Sequence, residues 1–415
     1  MPLAIPQTKP KPVLSLFDAV NVSLGSIIGA GIFVVIGAAT ALAGPAVFLS
    51  VLIAGTVAML TGLASADLSR MFPRSGGAYT FASEASSNFF GFIVGIVWIF
   101  SNIVAGATVA VGFGYYLALL APAIPIKASA AMLTLLATAI HLGGVKDSSR
   151  LNNVLVALKI LILLFFAVTA IFFFKFSNFE PFAPFGLGGV VAGAATIFFA
   201  YAGFARVSVI ADEVKDAARN VPRAIIISIL LSTFIYVVVS VAAVGVAGYL
   251  ILANSNSPLA DAIDLEGLGF GFTLVSIGAL IATATVILAS ILGISRVISA
   301  MALNGDLPSI AGEIDEKSGV PKKAILVGGS FVLLLIFLAD LPSLAYISSF
   351  SLLLYYVAIN LSGLRLLKEK RIWPLLGFLS CLFLMLSLPL SSWAIGLAVV
   401  AIASGAYGAA RLFRK

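Results

Sequence analysis

Two basic residues stand where hydrocarbon is expected, and a cluster of glycines stands where a helix is expected. Lys159, in VALKILILLFF, lies nine residues past Arg150, about 13 Å along a helix rising 1.5 Å per residue. A charge at such depth costs roughly 2.5–3.5 kcal/mol on insertion scales, so Lys159 is expected to face a bundle interior. The bland alternative is a side chain that snorkels back to the nearer face. Arg206 follows FFAYAGF in a later apolar run. The stretch Gly25 to Phe33 reads GSIIGAGIF. Each glycine costs roughly 1 kcal/mol relative to alanine in a helix interior, and glycines this close invite the backbone to unwind. In lipid, the N–H and C=O groups so bared survive only beside a cavity or a ligand. The chemistry on offer is therefore reversible binding through the main chain: the restarted half of a broken helix presents unpaired amides and the positive end of its dipole to an anionic group.

Covalent and metal chemistry lack material. His141 is the one histidine and Cys381 the one cysteine, which leaves nothing for a histidine-based metal site, a catalytic triad or an intrachain disulfide. Cys381 sits in an apolar run, where a small hydrophobe is the ordinary reading. No cofactor is expected.

The elements that position these residues are membrane spans. Hydrophobic residues make up 61% of the 415 and charged residues only 10%, against about 45–50% and ~25% in soluble domains. Twelve apolar runs are long enough to cross about 30 Å of hydrocarbon. Of the 24 basic residues, 20 fall on the face bearing both termini, two (Lys127 and Lys175) on the opposite face, and two (Lys159 and Arg206) within spans. The positive-inside rule makes that richer face cytoplasmic. The net charge of +7 is thus topological and no argument for nucleic acid, which needs its basic residues gathered on one surface. Asp261, Asp264 and Glu266 fall on the outer face. The polar, proline-rich residues 1–15 read as a cytoplasmic tail without a cleavage site, so the first span is expected to be retained.

No hydrophilic stretch leaves room for a soluble domain, so 1–415 reads as a single membrane domain. A short helix on the cytoplasmic surface is expected around Phe81 to Ala85. The counterpart of GSIIGAGIF is the interrupted run Phe198 to Phe204, at the start of the chain's second half. Aligning the two breaks sets spans 1–5 (about 16–176) against spans 6–10 (about 186–364), with spans 11–12 (about 373–410) added outside. Five is odd, so the second set crosses in the opposite sense, and two broken spans in matching positions point to a central binding site.

Four motifs occur in order: GSIIGAGIF; FPRSGGAYTFASEA (Phe72 to Ala85); FFAYAGF with ADEVKDAARNVPRAI (Phe198 to Ile225); and SRVISAMALNGDLP (Ser295 to Pro308). Together they resemble the amino acid–polyamine–organocation transporters, especially their proton-coupled, sodium-independent members. The resemblance implies an all-α fold of 12 transmembrane helices, a five-plus-five inverted repeat with helices 1 and 6 discontinuous, and amino acid transport by alternating access. It assigns the substrate carboxylate to the amides of Ile28, Gly29, Ala30 and Gly31, and the ammonium to carbonyls around Phe199, Ala200 and Ala202 with that of Ile27. Phe199 is similar to the family's aromatic gate, its alternative being an ordinary lipid-facing ring. Asn102, Ala105, Thr108, Thr283 and Ser349 are candidates for the side wall.

By the same resemblance Lys159 replaces a bound sodium ion, bonds the carbonyls of unwound helix 1 and releases its proton as the carrier turns. Arg206 departs from the family, which often carries an acidic residue near Ala205 or Arg206. The favoured reading has it snorkelling toward Asp212 and Glu213, six and seven residues on; the sharper one makes it a charge selector or gate, favouring acidic substrates. With no carboxylate in the expected pocket, a cationic side chain lacks a partner, so small neutral amino acids are the expected cargo. Arg70, Arg74, Asp212, Glu213, Lys215 and Arg223 are candidates for an inner gate, or set topology alone. Expected partners are the amino acid, a proton as coupling ion and membrane lipid. A channel would need rings of charged or carbonyl-rich residues, and a membrane-embedded enzyme would need clustered His, Asp, Glu or Cys; neither pattern is present. An exchanger, an acidic amino acid transporter and a non-transporting receptor on the same fold remain as alternatives.

Overall fold

The computed structural model describes residues 12–144, 149–265, 267–315 and 318–412. The tail up to residue 11 and Glu266, both given a face above, lie outside the described residues. Among the described residues the chain is helical almost throughout.

The first apolar run is divided into α1 (Leu16–Ile27), a π-turn (Gly31–Val35) and α2 (Ile36–Ala43). Then come α3 (Val47–Met71), α4 (Ala78–Ala85), α5 (Asn88–Leu120), α6 (Ile126–Leu142) and α7 (Ser149–Phe173). A second divided run holds α8 (Gly186–Ile197), a 3-10 turn (Phe198–Tyr201) and the one-turn α9 (Arg206–Val209). The remainder is α10 (Ala217–Ala253), α11 (Pro258–Asp264), α12 (Gly269–Leu303), α13 (Lys322–Leu338), α14 (Leu341–Leu366), α15 (Ile372–Met385) and α16 (Leu390–Leu412). Among the described residues eight stretches are long and apolar enough to cross a membrane, with Leu16–Met71 taken as one of them, and Ile126–Leu142 and Ile372–Met385 are shorter apolar helices.

Helix starts follow from local chemistry. Ser15 caps α1 in a reciprocal box with Asp18, each side chain taking the other residue's N–H, which satisfies two of the amides that a helix start leaves bare. Ser87 accepts from Phe90 N–H at the start of α5 and Asp340 from Ser343 N–H at the start of α14. The 37-residue α10 begins at Ala217, so Pro222 lies in its second turn rather than at its start, and Gly248 interrupts it in the left-handed region (φ 71°). The carbonyls freed near that interruption, of Gly245 and Val246, accept from the Asn178 amide at 2.8 and 3.1 Å.

Packing sorts the helices into two groups. α10 lies along α1 and α3, while α5 is sandwiched between α12 and α14. The expected short surface helix is α4, and it turns Phe81 and Ala82 inward. On the face that carries residue 12, the chain before α1 is stitched to the segment after α9. Val13 and Leu14 N–H both donate to Glu213 O at 2.9 Å, and Lys215 N–H donates to Leu14 O at 2.9 Å. The result is a single parallel bridge between Leu14 and Val214.

Candidate functional site

The two interruptions meet. In the first, Ile28 adopts an extended conformation (φ −74°, ψ 94°) and the helix resumes at Gly31 with no side-chain cap. Resumption leaves the first amides of the new helix without intrahelical acceptors. Carbonyls freed on the other side of the break are taken by side chains: Lys159 Nζ donates to Gly25 O at 3.0 Å and to Ile28 O at 3.1 Å. Lys159 is fully buried on α7. Its charge is thus surrounded by oriented main-chain dipoles, which supply the hydrogen bonds that a buried cation requires. The snorkelling alternative is ruled out by this placement.

In the second interruption, α8 tightens into the 3-10 turn at Phe198. Ser349 on α14 bridges that change of pitch, accepting from Phe199 N–H at 3.3 Å and donating to Thr196 O at 2.9 Å. Close approach of the two breaks depends on glycine. A Cβ on Gly31 would fall on the Cα of Ala200, and a Cβ on Gly203 would lie 2.5 Å from Ile27 N. The Tyr236 hydroxyl of α10 sits across the junction, 2.7 Å from Ile27 O and 3.4 Å from Ala200 O. Sequence reasoning missed Tyr236. Within an apolar run a tyrosine looks the same whether it faces lipid or a freed carbonyl.

A cavity of about 20 Å³ opens at the junction, lined by Ile27, Gly29, Ala30, Gly31, Phe199, Ala200 and Ala202, with Asn102 and Arg206 on its side. That is room for about one water, which needs roughly 10–15 Å³. A second cavity of about 10 Å³ adjoins it, between Trp98, Asn102, Ala105, Ala205, Arg206, Ser348 and Tyr355. Toward the face that carries residue 12, space widens to about 200 Å³ along Gly25, Asn152, Arg206, Glu213 and Arg296. A further 540 Å³ follows, bounded by Ser75, Tyr79, His141, Asp212 and Asn304.

Of the residues expected to line the substrate site, most border these cavities, but Ile28, Thr108, Thr283 and Ser349 do not. Thr283 is buried on α12 with its hydroxyl turned onto its own helix, donating to Ala279 O at 2.7 Å. Val286 and Ser290 face the cavity from α12 instead. Thr108 likewise bonds Val104 O at 2.9 Å. Ser349 holds the second break rather than the wall.

Arg206 does not snorkel toward Asp212 and Glu213. The helix ends at Val209, so six or seven residues of sequence do not translate into turns of helix. Glu213 pairs with Arg296 at 2.8 Å, and Asp212 accepts from Ser75 N–H at 3.1 Å. Arg206 Nη2 instead donates to Asn102 Oδ1 at 2.8 Å. Its Nη1 is buried with no protein acceptor among the described residues.

Of the gate candidates, Arg70 bonds Asp67 on its own helix at 2.7 Å and Arg74 pairs with Glu84 nearby. The bonds that cross between segments are Ser75–Asp212 and Arg296–Glu213, and Arg296 was not among the residues singled out. Tyr79 donates to Asp306 at 2.7 Å. Burial first, and the Asp306 carboxylate next, push its phenol up to about 12, so it remains a donor across the working pH range. His141, at the end of α6, lies 2.9 Å from Leu288 O through Nε2.

The model of the amino acid permease family matches residues 18–410. An uncharacterized transporter of Mycobacterium tuberculosis is 34% identical over 412 residues, covering 97% of this chain and 92% of its own. A branched-chain amino acid permease of Bacillus subtilis is 32% identical over 407 residues, covering 90% and 88%. A methylthioribose transporter of the same organism is 32% identical over 411 residues, covering 92% and 89%.

Proposed function

Since the chain belongs to the amino acid permease family, whose members are transporters and not enzymes, we propose that it is a secondary active carrier that takes small neutral amino acids across the cell membrane together with protons. The carrier is a single domain of twelve spans with both termini cytoplasmic, and its helices up to α7 and from α8 to α14 form the two inverted repeats. Spans 11 and 12, α15 and α16, stand outside them.

The observation that carries this reading is the meeting of two interrupted helices around Gly31 and Ala200, with a lysine ammonium on the carbonyls of the first. The substrate carboxylate lies against the amides of Gly29 to Gly31, at the positive end of the resumed helix, whereas the Ile28 N–H is already bonded to Leu24 O at 2.8 Å. Its ammonium shares the carbonyls of Ile27, Phe199, Ala200 and Ala202, two of which now accept from Tyr236. Phe199 closes over it. Glycine, alanine and serine make up much of the walls, which favours a small side chain, and among the described residues no carboxylate lines the two small central cavities to pair a cationic one. Lys159 couples the cycle: with its proton it ties Gly25 O to Ile28 O through two charge-assisted bonds, and without it those bonds weaken and α1 is freer to swing.

Proteoliposome uptake tests the reading. Alanine uptake is expected to be driven by a proton gradient, to ignore replacement of sodium, and to collapse in Lys159→Ala. Saturable counterflow of labelled against unlabelled alanine separates the carrier from a channel or a receptor. Sodium-stimulated uptake by the wild type, or no counterflow, refutes it.

A further inference from the structure

Arg206 is the central group that the proposed mechanism leaves unused. Arg206 lines three cavities, those of about 10, 20 and 200 Å³. Its orientation is fixed from behind. Asn102 Nδ2 donates to Trp98 O at 2.9 Å, which turns Asn102 Oδ1 toward Arg206 Nη2 at 2.8 Å. Nη1 is then left aimed away from Asn102, buried and without a protein acceptor among the described residues.

Charge does not balance around it. No carboxylate lines either small cavity, and the carboxylate on the wall of the large one, Glu213, is bonded to Arg296. Lys159, at the edge of the same break, adds a second cation. A zwitterionic substrate has no net charge and leaves this excess standing. A substrate with one more carboxylate removes part of it and gives the guanidinium the planar, two-oxygen acceptor that its geometry matches.

We propose that Arg206 is a specificity-determining residue that forms a second anion subsite beside the amino acid site, making short acidic amino acids, aspartate and glutamate, preferred over neutral ones. The α-carboxylate and ammonium use the two helix breaks, and the side-chain carboxylate reaches across the cavity to Nη1. This rests on the reading of the junction as an amino acid site; it keeps small neutral amino acids as cargo but ranks acidic ones above them. It also gives Asn102 a role, as the group that positions the guanidinium.

The test is competition against labelled alanine uptake in proteoliposomes by aspartate, asparagine, glutamate, glutamine, lysine and succinate. Aspartate is expected to compete at concentrations roughly tenfold or more below its isosteric amide, because a site built for a polar partner rejects the analogue that lacks it. Lysine fails because its side-chain ammonium meets the guanidinium, and succinate for want of an ammonium. In Arg206→Gln the aspartate-to-asparagine ratio falls to about one. Asn102→Asp supplies an anion to the guanidinium from within the protein and is expected to erase the same ratio without removing the arginine. Asparagine equalling or surpassing aspartate in the wild type overturns the proposal while leaving an amino acid carrier in place, as does an unchanged ratio in both variants. Succinate matching aspartate overturns the acidic amino acid as cargo. If none of these compounds competes and alanine itself is not carried, the amino acid site is refuted and this subsite with it.

Discussion

Replacing Tyr236 by phenylalanine separates carbonyls kept for a ligand from carbonyls kept for the fold. The change removes one hydroxyl and preserves the ring, so no cavity opens beyond the oxygen. It deletes a 2.7 Å bond to Ile27 O and a longer one of 3.4 Å to Ala200 O, both fully buried. A neutral hydrogen bond contributes about 0.5–1.5 kcal/mol net, and a buried acceptor left unsatisfied costs about 1–3 kcal/mol. The free protein should therefore lose up to about 3 kcal/mol of stability. With substrate bound, an ammonium takes the same carbonyls, so the loss there is smaller. The difference must reappear as tighter binding, about tenfold in Kd for each 1.4 kcal/mol. Thermal unfolding of the detergent-solubilised protein, with and without substrate, and equilibrium binding of labelled substrate give both sides of the cycle. Tyr236→Phe should melt lower when free, gain more from added substrate than the wild type does, and bind it more tightly. Weaker binding, with a stability loss that persists at saturating substrate, would refute the assignment of Ile27 O and Ala200 O to the ammonium.

Gly203→Ala should abolish uptake and lower the melting temperature, because its Cβ would meet Ile27 N at 2.5 Å and overpacking of this kind costs about 1–3 kcal/mol; wild-type uptake by this variant would count against the close junction. Asp315, in the loop before α13, is held at about 2 by the Lys322 side chain first and then by Ser318. A carboxyl depressed in the folded state contributes above its unfolded value, near 3.8, and loses that contribution as pH falls through the folded one. Ser318 N–H, 2.9 Å from Asp315 Oδ2, should thus keep its protection factor unchanged from pH 6 to pH 4 and lose it toward pH 2; protection already lost at pH 4 would contradict the depressed value.

What could be read from the chain depended on whether a residue broke a rule. Glycines in a helix and a lysine at membrane depth both carry a penalty, so Gly29, Gly31 and Lys159 pointed inward before any geometry was known. Tyr236 and Ser349 break nothing: a tyrosine or a serine in an apolar helix is ordinary, and only the carbonyl of Ile27 or the amide of Phe199 beside it reveals its task. Thr283 and Ser290 lie on one helix two turns apart, yet one bonds its own backbone and the other faces the cavity. Hydropathy fixes a helix's existence but not its rotation to that accuracy. Arg206 was misread for a different reason. Counting residues toward Asp212 and Glu213 presumed a continuous helix, and the helix stops at Val209.

The stitch between Leu14 and Val214 joins one arm of each divided helix, α1 and α9, at the same end. It is made of peptide groups, so only proline at a donor position, which removes the N–H, is expected to unfasten it directly. Each arm is parted from the rest of its run at a break, and the stitch ties it to its neighbour. In the proposed carrier cycle the two arms are therefore expected to move as one lever with paired hinges, opening the passage beneath the centre in a single stroke rather than by two flaps moving out of step.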